Sequence, residues 1–380
     1  MQELRRMHGA FFVVMMGFIL TILGASEIKR VHNSLEEIRS KEGKLQLTLV
    51  REWSGEAETD ENKIFSEPKD VVISDEGDIY VLDANRIQAF DKSGNYLRTI
   101  GRKGLGPGDL SDPTFFEIDK QKNLIVVEKN NQRIQIFSSK GDYLGSFLMR
   151  ENRPGRIAIT QKNEILVLNR MLTTNPSPLW LYYDYQGQIL RETGERKGGS
   201  SDVENAMRHE FAFSLDERDN LFASAIYKPL LQKYSSTGEL QLESAFEVPF
   251  EVPEIKTIKM PEGTFVEAEA VSRAMDIDSR GRIFLLALTR IKSYEEKKVG
   301  LKLYGMRRDG KGGIFTQKMK FDVDPRTKLY QILVFNDSGK IVASKKLNVH
   351  VNNIRIHQNR LFLIDSYIDL VIREFEISIQ

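Results

Sequence analysis

Between residues 68 and 110 the chain alternates short apolar runs with clusters of Asp, Gly, Asn and Ser. The runs fall at residues 70–74, 79–83, 86–90 and 95–101. Between them lie the turn sequences Asp75-Glu76-Gly77-Asp78, Ala84-Asn85 and Asp91-Lys92-Ser93-Gly94, and a glycine-rich exit follows at Gly104, Gly106 and Gly108. Runs of about five residues with turn chemistry every 8–12 positions predict β-strands in an all-β fold. Four such strands joined up and down make one propeller blade.

The pattern repeats. An aromatic residue stands four positions before a glycine at Phe90/Gly94, Phe137/Gly141, Tyr183/Gly187, Tyr234/Gly238 and Phe335/Gly339, with glycine spacings of 47, 46, 51 and 101. A second signature, a polar turn leading into an apolar strand, occurs as DEGDIYV, DKQKNLIV, TQKNEILV, DERDNLFA, DSRGRIFL and HQNRLFL, six copies beginning at Asp75, Asp119, Thr160, Asp216, Asp278 and His357. Repeats of this length mark stacked supersecondary units. Six copies predict six blades.

The sixth copy stops after its third strand, residues 371–379, and a spare strand lies at residues 45–53. The N-terminal strand is therefore expected to complete the last blade and close the ring, covering a sheet edge. The spacing of 101 requires an insertion, at residues 289–326, inside the fifth blade. With eleven basic and five acidic residues, the insertion is expected to form a loosely packed hairpin, its strands at residues 299–306 and 314–321. A seventh blade is rejected because the insertion has no further copy of the turn-plus-strand signature.

The run DEGDIYVLDANRIQAFDKSGNYLRTIGRKGLGPGDL resembles an NHL-type repeat, and its exit loop looks like that of bacterial exported six-bladed β-propeller proteins. The resemblance extends over most of residues 45–380. It implies a six-bladed propeller and no particular chemistry, because related propellers serve as scaffolds, peptide or RNA binders, lyases and esterases.

Ahead of the propeller, Arg5, Arg6 and His8 precede an apolar run at residues 10–25. This is the layout of a cleaved signal peptide or a retained signal anchor, and both readings stand. The run is expected to be an apolar helix within residues 1–26 that sends the rest of the chain out of the cytoplasm. Residues 27–44 carry Ile28, Val31, Leu35 and Ile38 on one helical face. They predict an amphipathic helical linker, and residues 45–380 the propeller.

Composition narrows the function classes. With 55 basic and 54 acidic residues there is no charge bias toward nucleic acid. With no cysteine there is neither a disulfide nor a thiolate site. No phosphate loop, zinc pair or nucleophile elbow occurs. The glycines from Gly101 to Gly108 precede a strand, not a helix, and read as turn residues. In an up-and-down blade the connections between strands two and three share one face with those between blades. The long segments 170–178, 194–210, 247–270 and 289–326 all fall on that face, where binding is expected. The ends of the second strands reach the same face. There Asp83, Glu128, Asn169 and Asp365 form an oxygen-rich crescent able in principle to hold Ca²⁺, or else to bond their own turns. His209, in one of the long segments, is a candidate base. Asn336-Asp337-Ser338 fits a glycosylation acceptor in an ordinary turn. The sequence therefore points to a monomeric extracytoplasmic propeller that binds a protein or polysaccharide partner. The alternative is a metal-dependent lyase, lactonase or esterase with its site at the channel mouth.

Overall fold

A computed structural model describes residues 27–54, 64–149, 152, 155–198, 201–260, 263–291 and 329–380. The apolar run at 10–25 and nearly all of the basic insertion lie outside the described residues. No described helix is long and apolar enough to cross a membrane.

Six antiparallel sheets follow the six repeats. Blade 1 is built from Pro68–Ile73, Ile79–Asp83, Arg86–Phe90 and Tyr96–Ile100. Blades 2, 3 and 4 begin at Pro113–Ile118, Ile157–Ile159 and Phe211–Leu215. Blade 5 pairs Ile283–Leu288 directly with Tyr330–Phe335, so the insertion joins its second and third strands. Blade 6 takes three strands from Asn353–His357, Arg360–Asp365 and Val371–Ile379, and its fourth is Leu45–Ser54, antiparallel to Val371–Ile379. The ring closes as the repeat pattern predicts.

The repeated signatures have a local cause. In blades 1 to 5 the turn between strands three and four starts with Asp91, Ser138, Asp184, Ser235 or Asn336, whose side chain accepts the amide four residues on. The fourth turn residue is the repeated glycine, at φ between +79° and +101°, where a side chain is strained. At Gly187 a Cβ would also lie 2.6 Å from the Phe147 ring. The aromatic partner ends the third strand and is buried between blades. Six apolar clusters fill the six blade interfaces. Phe90 sits between blades 6 and 1 and Phe335 between blades 4 and 5. The closing strand serves two of these interfaces, Leu45 between blades 5 and 6 and Trp53 between blades 6 and 1.

The helical linker expected over residues 27–44 is corrected. Lys29–Asn33 is a strand, parallel to Leu240–Phe246 on the outer edge of blade 4. Only Leu35–Ser40 is helical, started by Ser34 and Glu37 in a reciprocal capping box. The open edge of blade 4 offers main-chain partners that outweigh the helical spacing of the apolar residues, of which only Ile38 is buried. The segment is a strap around the rim, running from blade 4 across blade 5 to blade 6. Asn33, fully buried, fastens it. Its amide nitrogen reaches Ser244 Oγ at 3.0 Å and the Gly339 carbonyl at 3.0 Å, and its oxygen accepts from the Ile341 amide at 2.9 Å.

Asn33→Ala should leave those buried groups unmet and cost about 1–3 kcal/mol. Urea unfolding would measure it, and a loss under about 0.5 kcal/mol, the range of neutral surface changes, would contradict the fastening role.

Candidate functional site

The four strand-end residues are buried, and their polar groups are turned into their own blades. Asp83 Oδ1 accepts from the amides of Ser66 and Glu67 at 2.8 and 2.7 Å, and Oδ2 accepts from Arg86. Glu128 accepts from the Ser111 amide, Asn131, Arg133 and Gln135. Asn169 donates to the Pro178 carbonyl and accepts from the Met171 amide. Asp365 accepts from His350 Nδ1 at 2.9 Å and from the amides of Tyr367, Ile368 and Asp369.

These contacts share a purpose. In blades 1 and 2 the side chain at the end of strand two pins the incoming connection from the previous blade. In blade 6 Asp365 does so through His350, and in blade 3 Asn169 orders the outgoing loop. At Ala225 and Ala287, the equivalents in blades 4 and 5, backbone bonds do the work: Ile226 donates to the Glu210 carbonyl and Leu288 to that of Val271. The oxygens of the expected crescent are thus engaged one blade at a time. Among the described residues no three His, Cys, Asp or Glu side chains converge as a metal would require. The oxygens that a Ca²⁺ ion would need already accept protein N–H groups.

His209 ends a seven-residue helix, Asp202–Arg208, on the same face. Its Nδ1 donates to the Asn205 carbonyl at 2.8 Å, and burial lowers its basicity. Nearby, Arg170 and Glu210 form an ion pair, and burial raises the Glu210 carboxyl against the pull of that arginine. The segment at 247–270, expected as loop, carries the hairpin Lys256–Met260 and Gly263–Glu267. Asn336 caps its own turn through the Ser338 and Lys340 amides. Gly101 and Gly108 adopt positive φ in a loop closed by the Leu110 amide on the Arg102 carbonyl.

A second polar centre, absent from the sequence reading, lies in the channel. Arg355, on the first strand of blade 6, donates through Nε and Nη2 to both oxygens of Asp70 at 2.7 and 2.6 Å. Its Nη1 donates to Glu117 of blade 2. Burial opposes the arginine charge, but Asp70 and Glu117 outweigh it and hold the guanidinium firmly charged. Burial raises the Glu117 carboxyl despite Arg355 and Arg156. Asp276 of blade 5 accepts from Ser214 Oγ at 2.8 Å and from the Ile356 amide at 2.9 Å. Above this floor is a cavity of about 170 Å³ lined by Ile73, Ile118, Ile159, Leu215, Ile356 and His357, among others. These residues end the first strands or sit near their ends, so the cavity opens on the short-turn face, opposite the long connections. The signal was present: a charged residue interrupts the apolar first strand at Asp70, Glu117, Asp276 and Arg355.

The Asp365 hub makes a pH prediction. Burial alone would raise its carboxyl, but the bond and charge of His350 and the Ile368 and Tyr367 amides hold it below the usual range. Its stabilisation is therefore present above the unfolded value of about 3.9 and is lost as pH falls through the folded value. Asp365→Asn should cost about 1–3 kcal/mol at pH 7, with the gap to the parent closing toward pH 2. A gap independent of pH would contradict the assignment.

Residues 56–275 match the family DUF5128, described as a 6-bladed beta-propeller. Human NHL repeat-containing protein 3 is 26% identical over 115 residues, covering 28% of this chain and 33% of that protein. The chain thus spans about a third of that relative's length. A solved structure of a DUF4221 member from Bacteroides vulgatus aligns with TM-score 0.56 at 12% identity, covering 88% of this chain and 98% of that one. A Bacteroides fragilis protein described as exported aligns with TM-score 0.53 at 10% identity over 93% and 99%. At these identities the two structures share the fold alone. With more than half of its length matched, in a ring that closes with six blades, the chain belongs to the six-bladed β-propeller family DUF5128.

Proposed function

We propose that this propeller is an extracytoplasmic binding module that takes a protein or polysaccharide partner on its long-connection face. The observation that carries this is the contrast between the two faces. The short-turn face is made of tight turns, and in blades 1 to 5 those between strands three and four satisfy their own amides. The opposite face carries a helix, a hairpin and exposed apolar side chains: Leu105 at 72%, Leu172 at 46% and Ile291 at 41% exposure. Loops on a rigid scaffold can vary without disturbing the core, and exposed apolar side chains there favour a partner. The binding reading is favoured over the metal-dependent alternative because the oxygens of Asp83, Glu128, Asn169 and Asp365 are held in structural hydrogen bonds.

Export is supported by Arg5, Arg6 and the apolar run at 10–25. The strap meets blade 4 where Lys29 pairs with Leu242, near the start of that blade's outer strand and its short 3–4 turn. A membrane tether would then leave from the short-turn side and present the long connections outward.

A photo-crosslinking residue at Leu105 or Leu172 should capture a protein or glycan in intact cells. The same residue at Lys92 or Lys140, in the turns of the other face, should capture little. Adducts from the second pair alone would overturn the face assignment. Because the chain has no cysteine, Leu105→Cys is a clean reporter of compartment. A maleimide excluded from the cytoplasm should label it without lysis, and labelling only after lysis would overturn the export reading.

A further inference from the structure

The outer strand of every blade carries a β-bulge at one equivalent place, close to the short-turn end. The extra residue there has no cross-strand partner, and the strand bends around it. These residues are Val50, Leu97, Leu144, Leu190, Gln241 and Val342. In blades 6, 1, 2 and 3 the bulge residue is apolar and between 42 and 55% exposed. In blade 5, where the strap crosses and Ser344 Oγ donates to the Ile38 carbonyl, Val342 is partly buried against the core. A bulge by itself already protects a sheet edge from pairing, and blade 4 does so with a polar Gln241. The apolar choice elsewhere therefore needs another cause. It is concentrated on two neighbouring blades. Of the twelve exposed large apolar side chains among the described residues, Tyr143, Leu144, Ile189 and Leu190 sit at the bulges of blades 2 and 3, on the outer strands Tyr143–Leu148 and Ile189–Arg196. Such grouping marks an interaction surface.

The course of the chain says what covers this surface. The apolar run ends at Ala25, and Lys29 pairs with Leu242, the residue after the blade 4 bulge. The four residues between reach at most about 14 Å. A bilayer that holds the run therefore lies within that distance of the rim of blade 4, at the height of the bulges and next to blade 3. The turns beside the surface carry Lys140 against Asp142 and Asp184, so charge supplies no attraction and apolar insertion must.

We propose that the rim of blades 2 and 3 is a lipid-contact surface that rests on the bilayer beside the tether. Tyr143, Leu144, Ile189 and Leu190 lie at the headgroup–acyl boundary, where an amphipathic surface binds by its buried apolar area. Leaning on this rim leaves the long-connection face clear of lipid. The inference rests on the membrane tether proposed above.

The test uses the full chain reconstituted in phosphatidylcholine vesicles. A polarity-sensitive fluorophore is placed on a single cysteine, with nitroxide-labelled acyl chains as the quencher. Leu144→Cys and Leu190→Cys should emit at shorter wavelength than in detergent-free buffer and lose roughly half of their intensity to the nitroxide, as expected for a depth of about 5–10 Å. Val50→Cys, across the ring from blade 3, and Leu172→Cys, on the long-connection face, should be unaffected. High salt should not reverse the effect. Resistance of the same vesicles to carbonate extraction reports the tether separately. A retained chain in which positions 144 and 190 are no more quenched than 50 and 172 would overturn the lipid contact and leave the tether standing. That is also the result expected if a protein covers this rim. Release of the chain by carbonate would overturn the tether and the contact with it.

Discussion

The structure depends on one pairing, that of Leu45–Ser54 with Val371–Ile379. The first five blades are sequence-local and could each form their own strands. A ring is cooperative only when its first and last blades are joined, and here the join lies within blade 6. The closing strand supplies main-chain partners along the third strand, with Gln380 also donating to the Lys44 carbonyl. It also places Leu45 and Trp53 in the interfaces on either side of blade 6. One strand therefore holds three blades. Each blade still ends in an outer edge, and the rim strap covers that of blade 4 with Lys29–Asn33.

The two faces differ in what their polar groups must do. On the short-turn face, side chains such as Asp91 and Ser138 satisfy their own turns, which fixes turn length and leaves little room for variation. On the other face, Asp83, Glu128 and Asp365 secure the connections entering their blades. The long segments 197–210 and 247–271 enter blades 4 and 5, where backbone bonds, Ile226 to the Glu210 carbonyl and Leu288 to that of Val271, fasten them instead. The channel joins the faces, and its charge pairs link blades far apart in sequence: Arg355 of blade 6 bonds Asp70 of blade 1 and Glu117 of blade 2. Removing one partner of such a buried network leaves an uncompensated charge, so the cluster constrains ring geometry as well as lining a cavity.

The fold was legible because each blade repeats the same local chemistry. The aromatic-to-glycine spacing reports a turn that needs positive φ and an interface that needs a ring. The insertion and the closing strand followed from counting strands. The strap was not legible. Ile28, Val31, Leu35 and Ile38 carry a helical period, and the competing attraction, an open strand edge on blade 4, is formed by residues more than two hundred positions away. The strand-end carboxylates were placed on the correct face, but sequence could not show that the Ser66, Glu67 and Ser111 amides would claim their oxygens. The channel cluster escaped for a similar reason. Asp70, Arg156 and Arg355 each read as an ordinary polar residue in or beside a strand, and only the closed ring brings them together.

Ring closure can be tested by moving the closing strand. One chain would lack residues 1–54, and a second would lack them but carry residues 44–54 after Gln380 through a short turn. Both lack the strap, so they differ only in closure. The second should unfold cooperatively at a midpoint well above the first, which should melt early or without cooperativity. Equal midpoints, both close to that of the intact chain, would contradict the central place given to this strand.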